Sequence, residues 1–132
     1  MKEPIFESEL RLRVSSKNAH YAGKLVDGSY ILNLFGDVAT ELTIRIDSDE
    51  GLLRAYDNVE FLSPVYVGDF LLIKGKVVNI GNTSRKILFE AYKTIESIKN
   101  GKFDSSCKVL NPPLLVAKAS GTSVVFKEKQ KK

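Results

Sequence analysis

Hydrophobic and polar positions follow two different periods along this chain. Over residues 5–14, Leu10, Leu12 and Val14 alternate with Glu9, Arg11 and Arg13, the period of two expected of a half-buried strand. A polar loop (SSKNAHYAGK) follows. Between residues 29 and 46 the period lengthens: Ile31, Leu34, Phe35, Val38 and Leu42 recur every three or four positions and line one face of a helix. Asp27 and Ser29 both suit its N-cap. Gly36 inside it costs about 1 kcal/mol relative to Ala, so close backbone packing is expected there. The helix is expected to end before the turn-forming Asp47-Ser48-Asp49-Glu50-Gly51. Beyond it, residues 52–65, 70–80, 84–95 and 114–126 are rich in β-branched and aromatic side chains and read as strands. Val67-Gly68-Asp69, Gly81-Asn82 and a longer loop over 97–112, running into Pro112-Pro113, separate them. One strand, one long helix and four strands predict an α+β fold, an antiparallel sheet wrapped around one long central helix. Such a helix is buried on one side only, so a second copy is expected against the other.

Composition narrows the class. The 132 residues are 43% hydrophobic and 27% charged, ordinary for a globular domain with a real core. The longest apolar runs, such as Leu114-Leu115-Val116-Ala117, fall far short of the ~20 residues that cross a bilayer. The N-terminal MKEPIFESEL carries acids where a signal peptide needs an apolar stretch. A cytoplasmic protein off the membrane is expected, one domain over residues 1–126 with a basic, solvated and disordered tail at 127–132. The net charge is +4, of which the tail supplies +3. A near-neutral body without a recognisable nucleic-acid motif argues against nucleic acid as partner.

The candidate chemistry is sparse. His20 is the single histidine, in a loop beside Tyr21 and Gly23, so a histidine-based metal site is not expected. Cys107 is also alone and excludes a disulfide framework. Asn33, Asp37 and Glu41 fall at i, i+4 and i+8, a helix flank bordering the apolar face, where a half-buried carboxylate can serve as a base. Glu60 interrupts the apolar Val59-Glu60-Phe61-Leu62 and needs a partner or a task. Gly81-Asn82-Thr83-Ser84-Arg85-Lys86 combines a turn, hydroxyls and two cations, the chemistry of a phosphate contact and equally that of a well-made hairpin. Gly23, Gly28 and Gly36 form no dinucleotide fingerprint, and neither a nucleophile elbow nor a Walker loop is present.

In order along the chain, Ala19-His20-Tyr21-x-Gly23, Phe61-x-x-Pro64-Val65-x-x-Gly68-Asp69 and Gly81-Asn82-Thr83-Ser84 resemble the hotdog fold of acyl-CoA enzymes. KNAHYAGKLVDG, LFGDVATEL, YDNVEFLSPVYVGD, NIGNTSRK, FEAYK and KASGTSVVFKEKQ are similar, more narrowly, to the small CoA ammonia-lyases of amino-acid fermentation. The likeness covers nearly the whole chain from about residue 10. It implies reversible elimination of ammonia from 3-aminobutyryl-CoA to give crotonyl-CoA, as in lysine fermentation, with β-alanyl-CoA as the alternative substrate. A hotdog acyl-CoA thioesterase is the runner-up, and a non-catalytic acyl-CoA sensor a third reading.

One departure separates the two enzyme readings. Counting from Gly23, the helix acid of many hotdog thioesterases falls on Phe35, and Asp37 lies about 200° further round the helix. The resemblance therefore implies ammonia-lyase carboxylates: Glu60 and Asp37 as acid–base pair, Glu41 one turn away in support. His20 and Tyr21 are expected to position the substrate or support an oxyanion site at the backbone amides around Gly28. Asn82, Thr83, Ser84, Arg85 and Lys86 are expected to hold the CoA phosphates or pantetheine. No metal, flavin or pyridoxal phosphate is implied, because CoA is part of the substrate. The implied partners are the CoA thioester and further copies of the chain, as a dimer or a trimer of dimers with sites between subunits.

Overall fold

The computed structural model describes residues 6–131; residues 1–5, where the first predicted strand begins, and Lys132 of the tail lie outside the described residues. The alternating first segment forms β1 (Glu7–Arg13) and the helical period forms α1 (Gly28–Asp47). The strands are β2 (Leu52–Phe61), β3 (Phe70–Ile80), β4 (Ser84–Ser97) and β5 (Cys107–Val124). They make one antiparallel sheet in the order β1-β3-β4-β5-β2.

The apolar face of α1 does what its spacing predicts. Ile31, Leu34, Phe35, Val38 and Leu42 are all buried against Leu71 and Ile73 of β3, Ile87 and Phe89 of β4, and Val116 and Ala117 of β5. The Phe35 and Phe89 rings stack at 5.0 Å. The glycine that close packing requires is not Gly36, where an added Cβ would meet only the Tyr56 hydroxyl at 3.9 Å. It is Gly75 of β3, where a Cβ would lie 2.3 Å from a methyl of Val38, so the helix rides on bare backbone there.

Three boundaries differ from the sequence reading. Asp47 is the last residue of α1, and Ser48 closes the helix in the left-handed region. The 52–65 segment leaves the sheet after Phe61 and bends at Ser63, just before Pro64. The 97–112 segment is not all loop: β5 starts at Cys107 and passes through Pro112-Pro113. Lys93 pairs with Leu114 but Ile95 with Val109, so the prolines occupy an irregularity where no ladder hydrogen bond is required of them. The tail is not featureless either. Lys127–Lys129 makes a 3₁₀ turn, and the Gln130 amide donates to the carbonyls of Asn82 and Val125 at 2.7 and 3.0 Å. The lysines of this segment are exposed.

The sheet's other face carries a row of charges among apolar positions such as Leu72 and Leu88. Register alone aligns Glu9, Lys74, Glu90, Lys118 and Glu60 in one row across all five strands, with charges alternating in sign. Neighbours of opposite sign support pairing, although each exposed pair contributes under about 1 kcal/mol. Among the described residues no helix is long and apolar enough to cross a membrane.

Candidate active site

The start of α1 is placed by a buried ionic turn. The Asp69 carboxylate, fully buried, accepts from the backbone N–H groups of Tyr66 and Ser97 at 2.8 Å each and lies 3.1 Å from Lys93 Nζ. Lys93 also donates to the Pro64 carbonyl at 2.9 Å. Pro64-Val65-x-x-Gly68-Asp69 is therefore a rigid corner, and Gly68 takes the positive φ of +94° that its tight turn requires. Val65 and Tyr66 bond in turn to the strand-like stretch before α1: Val26 N–H donates to the Val65 carbonyl at 2.9 Å, and Leu25 bridges to Tyr66. Lys99 adds a contact to the Gly23 carbonyl at 2.9 Å.

The corner holds open a groove of about 310 Å³ at the first turn of α1, lined by Leu25, Val26, Asp27, Gly28, Ile31, Phe61 and Val116 among others. Its lining is largely apolar and the first turn of α1, whose leading N–H groups lack helical partners, borders it, so it can take a short acyl chain and offer donors to a carbonyl oxygen. The Asp27 carboxylate makes no capping hydrogen bond; the Ser29 hydroxyl donates to it and holds it below the usual carboxylate range. His20 and Tyr21 are exposed just upstream with their rings edge to face at 4.9 Å, and the nearby His20 also favours the charged form of Asp27.

The other site residues are spread over the protomer. Phe35 is wholly buried, so the thioesterase acid position is core here, and Asp37 stands exposed on the opposite flank. Among the described residues Asp37 makes no hydrogen bond or ion pair. Its charge reaches the Tyr56 phenol, which burial first and Asp37 second push up to about 12, and which donates to the Leu32 carbonyl at 2.5 Å. Glu41 is tied down, accepting from the Ser8 hydroxyl at 2.5 Å and lying 3.5 Å from Arg45.

Glu60 is turned by a bulge. Asp57 pairs with Ser120 and Glu60 with Lys118, so β2 carries one extra residue around Asn58, whose φ is +51°. Without it, strict alternation from inward-facing Tyr56 would aim Glu60 at the helix and Phe61 at solvent; with it, the two are exchanged. Glu60 thus stands on the outer face, 3.6 Å from Lys118, and its partner is that lysine rather than anything buried. One protomer does not bring Glu60 and Asp37 together.

The 81–86 turn is also remote from the groove. Arg85 is buried, bonded through two nitrogens to Asp47 at 2.9 and 3.0 Å and through a third to the carbonyls of Gly81 and Ser84 at 3.0 Å. It locks the turn to the far end of α1, about 30 Å from Gly28 for a 20-residue helix. The expectation that Arg85 meets a phosphate is corrected: it is spent on Asp47. Asn82, Thr83, Ser84 and Lys86 remain on the surface side of the turn, Lys86 2.9 Å from Asp57. The sequence reading assigned no role to Phe61 or to the Asp27 side chain beyond a cap, although Phe61 opens one of the quoted motifs; only the bulge aims it inward.

Residues 24–96 match the model of the thioesterase superfamily. The chain is 53% identical over 126 residues to 3-aminobutyryl-CoA ammonia lyase of Acetoanaerobium sticklandii, covering 96% of this chain and 99% of that one. Among solved structures, β-alanyl-CoA:ammonia lyase from Clostridium propionicum superposes with a TM-score of 0.91 at 37% identity, over 95% of this chain and 88% of the other. A hexameric hotdog fold thioesterase of Campylobacter jejuni shares the fold at a TM-score of 0.70 and 23% identity, covering 93% and 86%. The chain belongs to the hotdog-fold thioesterase superfamily and, within it, to the family of the CoA ammonia lyases.

Proposed function

We propose that this protein catalyses the reversible elimination of ammonia from 3-aminobutyryl-CoA to give crotonyl-CoA. The observation that carries the reading is the 53% identity to the lyase of that name over almost the full length of both chains. The reaction has a hard step, loss of a weakly acidic proton beside the thioester carbonyl, whose oxygen then gathers enolate-like charge. Backbone N–H groups at the start of α1, around Gly28, and the helix dipole suit that charge. CoA itself supplies the activation, so no further cofactor enters the scheme.

Acid–base work falls to Glu60 and Asp37, one taking the α-proton and the other keeping the departing amine protonated. Asp37 has no partner in the fold among the described residues, and Glu60 has only an exposed lysine. Because they lie on opposite faces of one protomer, their pairing needs groups from different copies. The outer edge of β2 carries no further strand among the described residues, and Leu52, Val59, Phe61 and Leu62 are exposed on or beside it. A dimer along that edge, grouped as a trimer of dimers, would bring a second copy to the site. In such an assembly Asn82, Thr83, Ser84 and Lys86 serve the CoA phosphates or pantetheine of a thioester bound at another copy's groove. His20 and Tyr21 position the thioester, and Glu41, fixed by Ser8, supports Asp37 from one turn away. The scheme assigns the enzyme to the cytoplasm, with its CoA substrate. The β-alanyl thioester is kept as a second substrate by the 37% identity to the lyase named for it.

The test is purified protein with crotonyl-CoA and ammonium, followed by enoyl-thioester absorbance, with a thiol reagent in parallel. Absorbance is expected to fall without free thiol. Release of CoA instead would make the protein a thioesterase and remove the roles given to Glu60 and Asp37.

A further inference from the structure

The groove at the first turn of α1 has walls of two kinds. Ile31, Val26 and Val116 are part of the buried core and cannot yield without disturbing it. Phe61 is different. Its ring lies directly against the α carbon of Gly28, where an added Cβ would come within 2.5 Å of Cζ and 2.8 Å of both Cε atoms. Within one protomer 54% of the residue is exposed, so the ring closes the groove from outside with little of its own chain packed behind it. The β2 bulge is what aims it inward. At about 310 Å³ the groove is at the small end of ligand sites, and this ring is its one aromatic wall, beside Leu25 and Leu62, which also lie outside the core.

We infer that Phe61 sets the acyl-chain length the enzyme accepts, by closing the groove beyond a short 2-enoyl chain against Gly28. The inference rests on the lyase reading of the same groove. Removing the ring should admit longer chains, whereas the core walls keep the short chain in place.

The test compares wild type, Phe61→Leu and Phe61→Ala for ammonia addition to acryloyl-, crotonyl- and 2-hexenoyl-CoA. The readout is the ratio of kcat/KM between substrates, which a general loss of activity or stability does not move. Phe61→Ala is expected to raise the hexenoyl-to-crotonyl ratio at least about tenfold, since one or two methylenes in an apolar pocket discriminate by that order, with Phe61→Leu between. Ratios unchanged in both variants, with crotonyl-CoA still turned over, would overturn the role of Phe61 alone. Wild-type protein that adds ammonia to none of the three thioesters overturns the lyase reading, and this inference with it.

Discussion

Glu60→Gln is expected to lower the rate of ammonia addition to crotonyl-CoA by about 10²–10⁴-fold, the range for loss of a general acid or base. The fold should not register the change. Glu60 is exposed, its one ionic partner among the described residues is Lys118 at 3.6 Å, and such a pair contributes under about 1 kcal/mol. Unfolding by urea should therefore match wild type within that margin. Asp37→Asn is expected to behave alike, because no contact of Asp37 among the described residues holds the fold. Turnover near wild type in Glu60→Gln would remove Glu60 from the mechanism and leave Asp37, with the groove-side His20, to carry the proton chemistry.

The largest stability effect is expected at the other end of α1. Asp47→Ala should destabilise the protein by about 3–5 kcal/mol, because it leaves Arg85 charged, 3% exposed and without its carboxylate. Against a typical total of 5–15 kcal/mol, that is a large fraction. The damage should reach the 81–86 turn, since Arg85 also donates to the carbonyls of Gly81 and Ser84. Replacing the partner as well, Asp47→Ala with Arg85→Met, removes the stranded charge and should recover part of the loss. Urea unfolding of the single and double variants measures both effects. A single-variant loss under about 1 kcal/mol would mean that Arg85 finds water or another acceptor.

The elements were legible because their periods are clean: five helix positions from Ile31 to Leu42 are all buried, and 70–80 is a strand from end to end. The site was legible only as a set of residue types. Asp47 and Arg85 are 38 residues apart, and nothing local distinguishes a buried ion pair from a turn-former and a phosphate ligand. Glu60 stands out in the sequence because it interrupts an apolar run, but its direction depends on one extra residue at Asn58, and a bulge leaves the pattern of residue types unchanged. The same bulge turned Phe61 from an ordinary strand residue into a wall of the groove. Phe35 is the opposite case: its apolar identity at the thioesterase acid position, read from sequence, is explained by full burial against Phe89. The close approach falls at Gly75 rather than Gly36 because it is set by which strand lies under Val38, a tertiary fact.

Carbon–nitrogen bond formation and hydrolysis leave products of different composition. Crotonyl-CoA and ammonium labelled with heavy nitrogen are incubated with the protein, and the thioesters are weighed by mass spectrometry. The expected product is an intact CoA thioester heavier by one labelled ammonia, reverting to crotonyl-CoA when ammonium is removed. Unlabelled product with free CoA would instead make the protein a hydrolase.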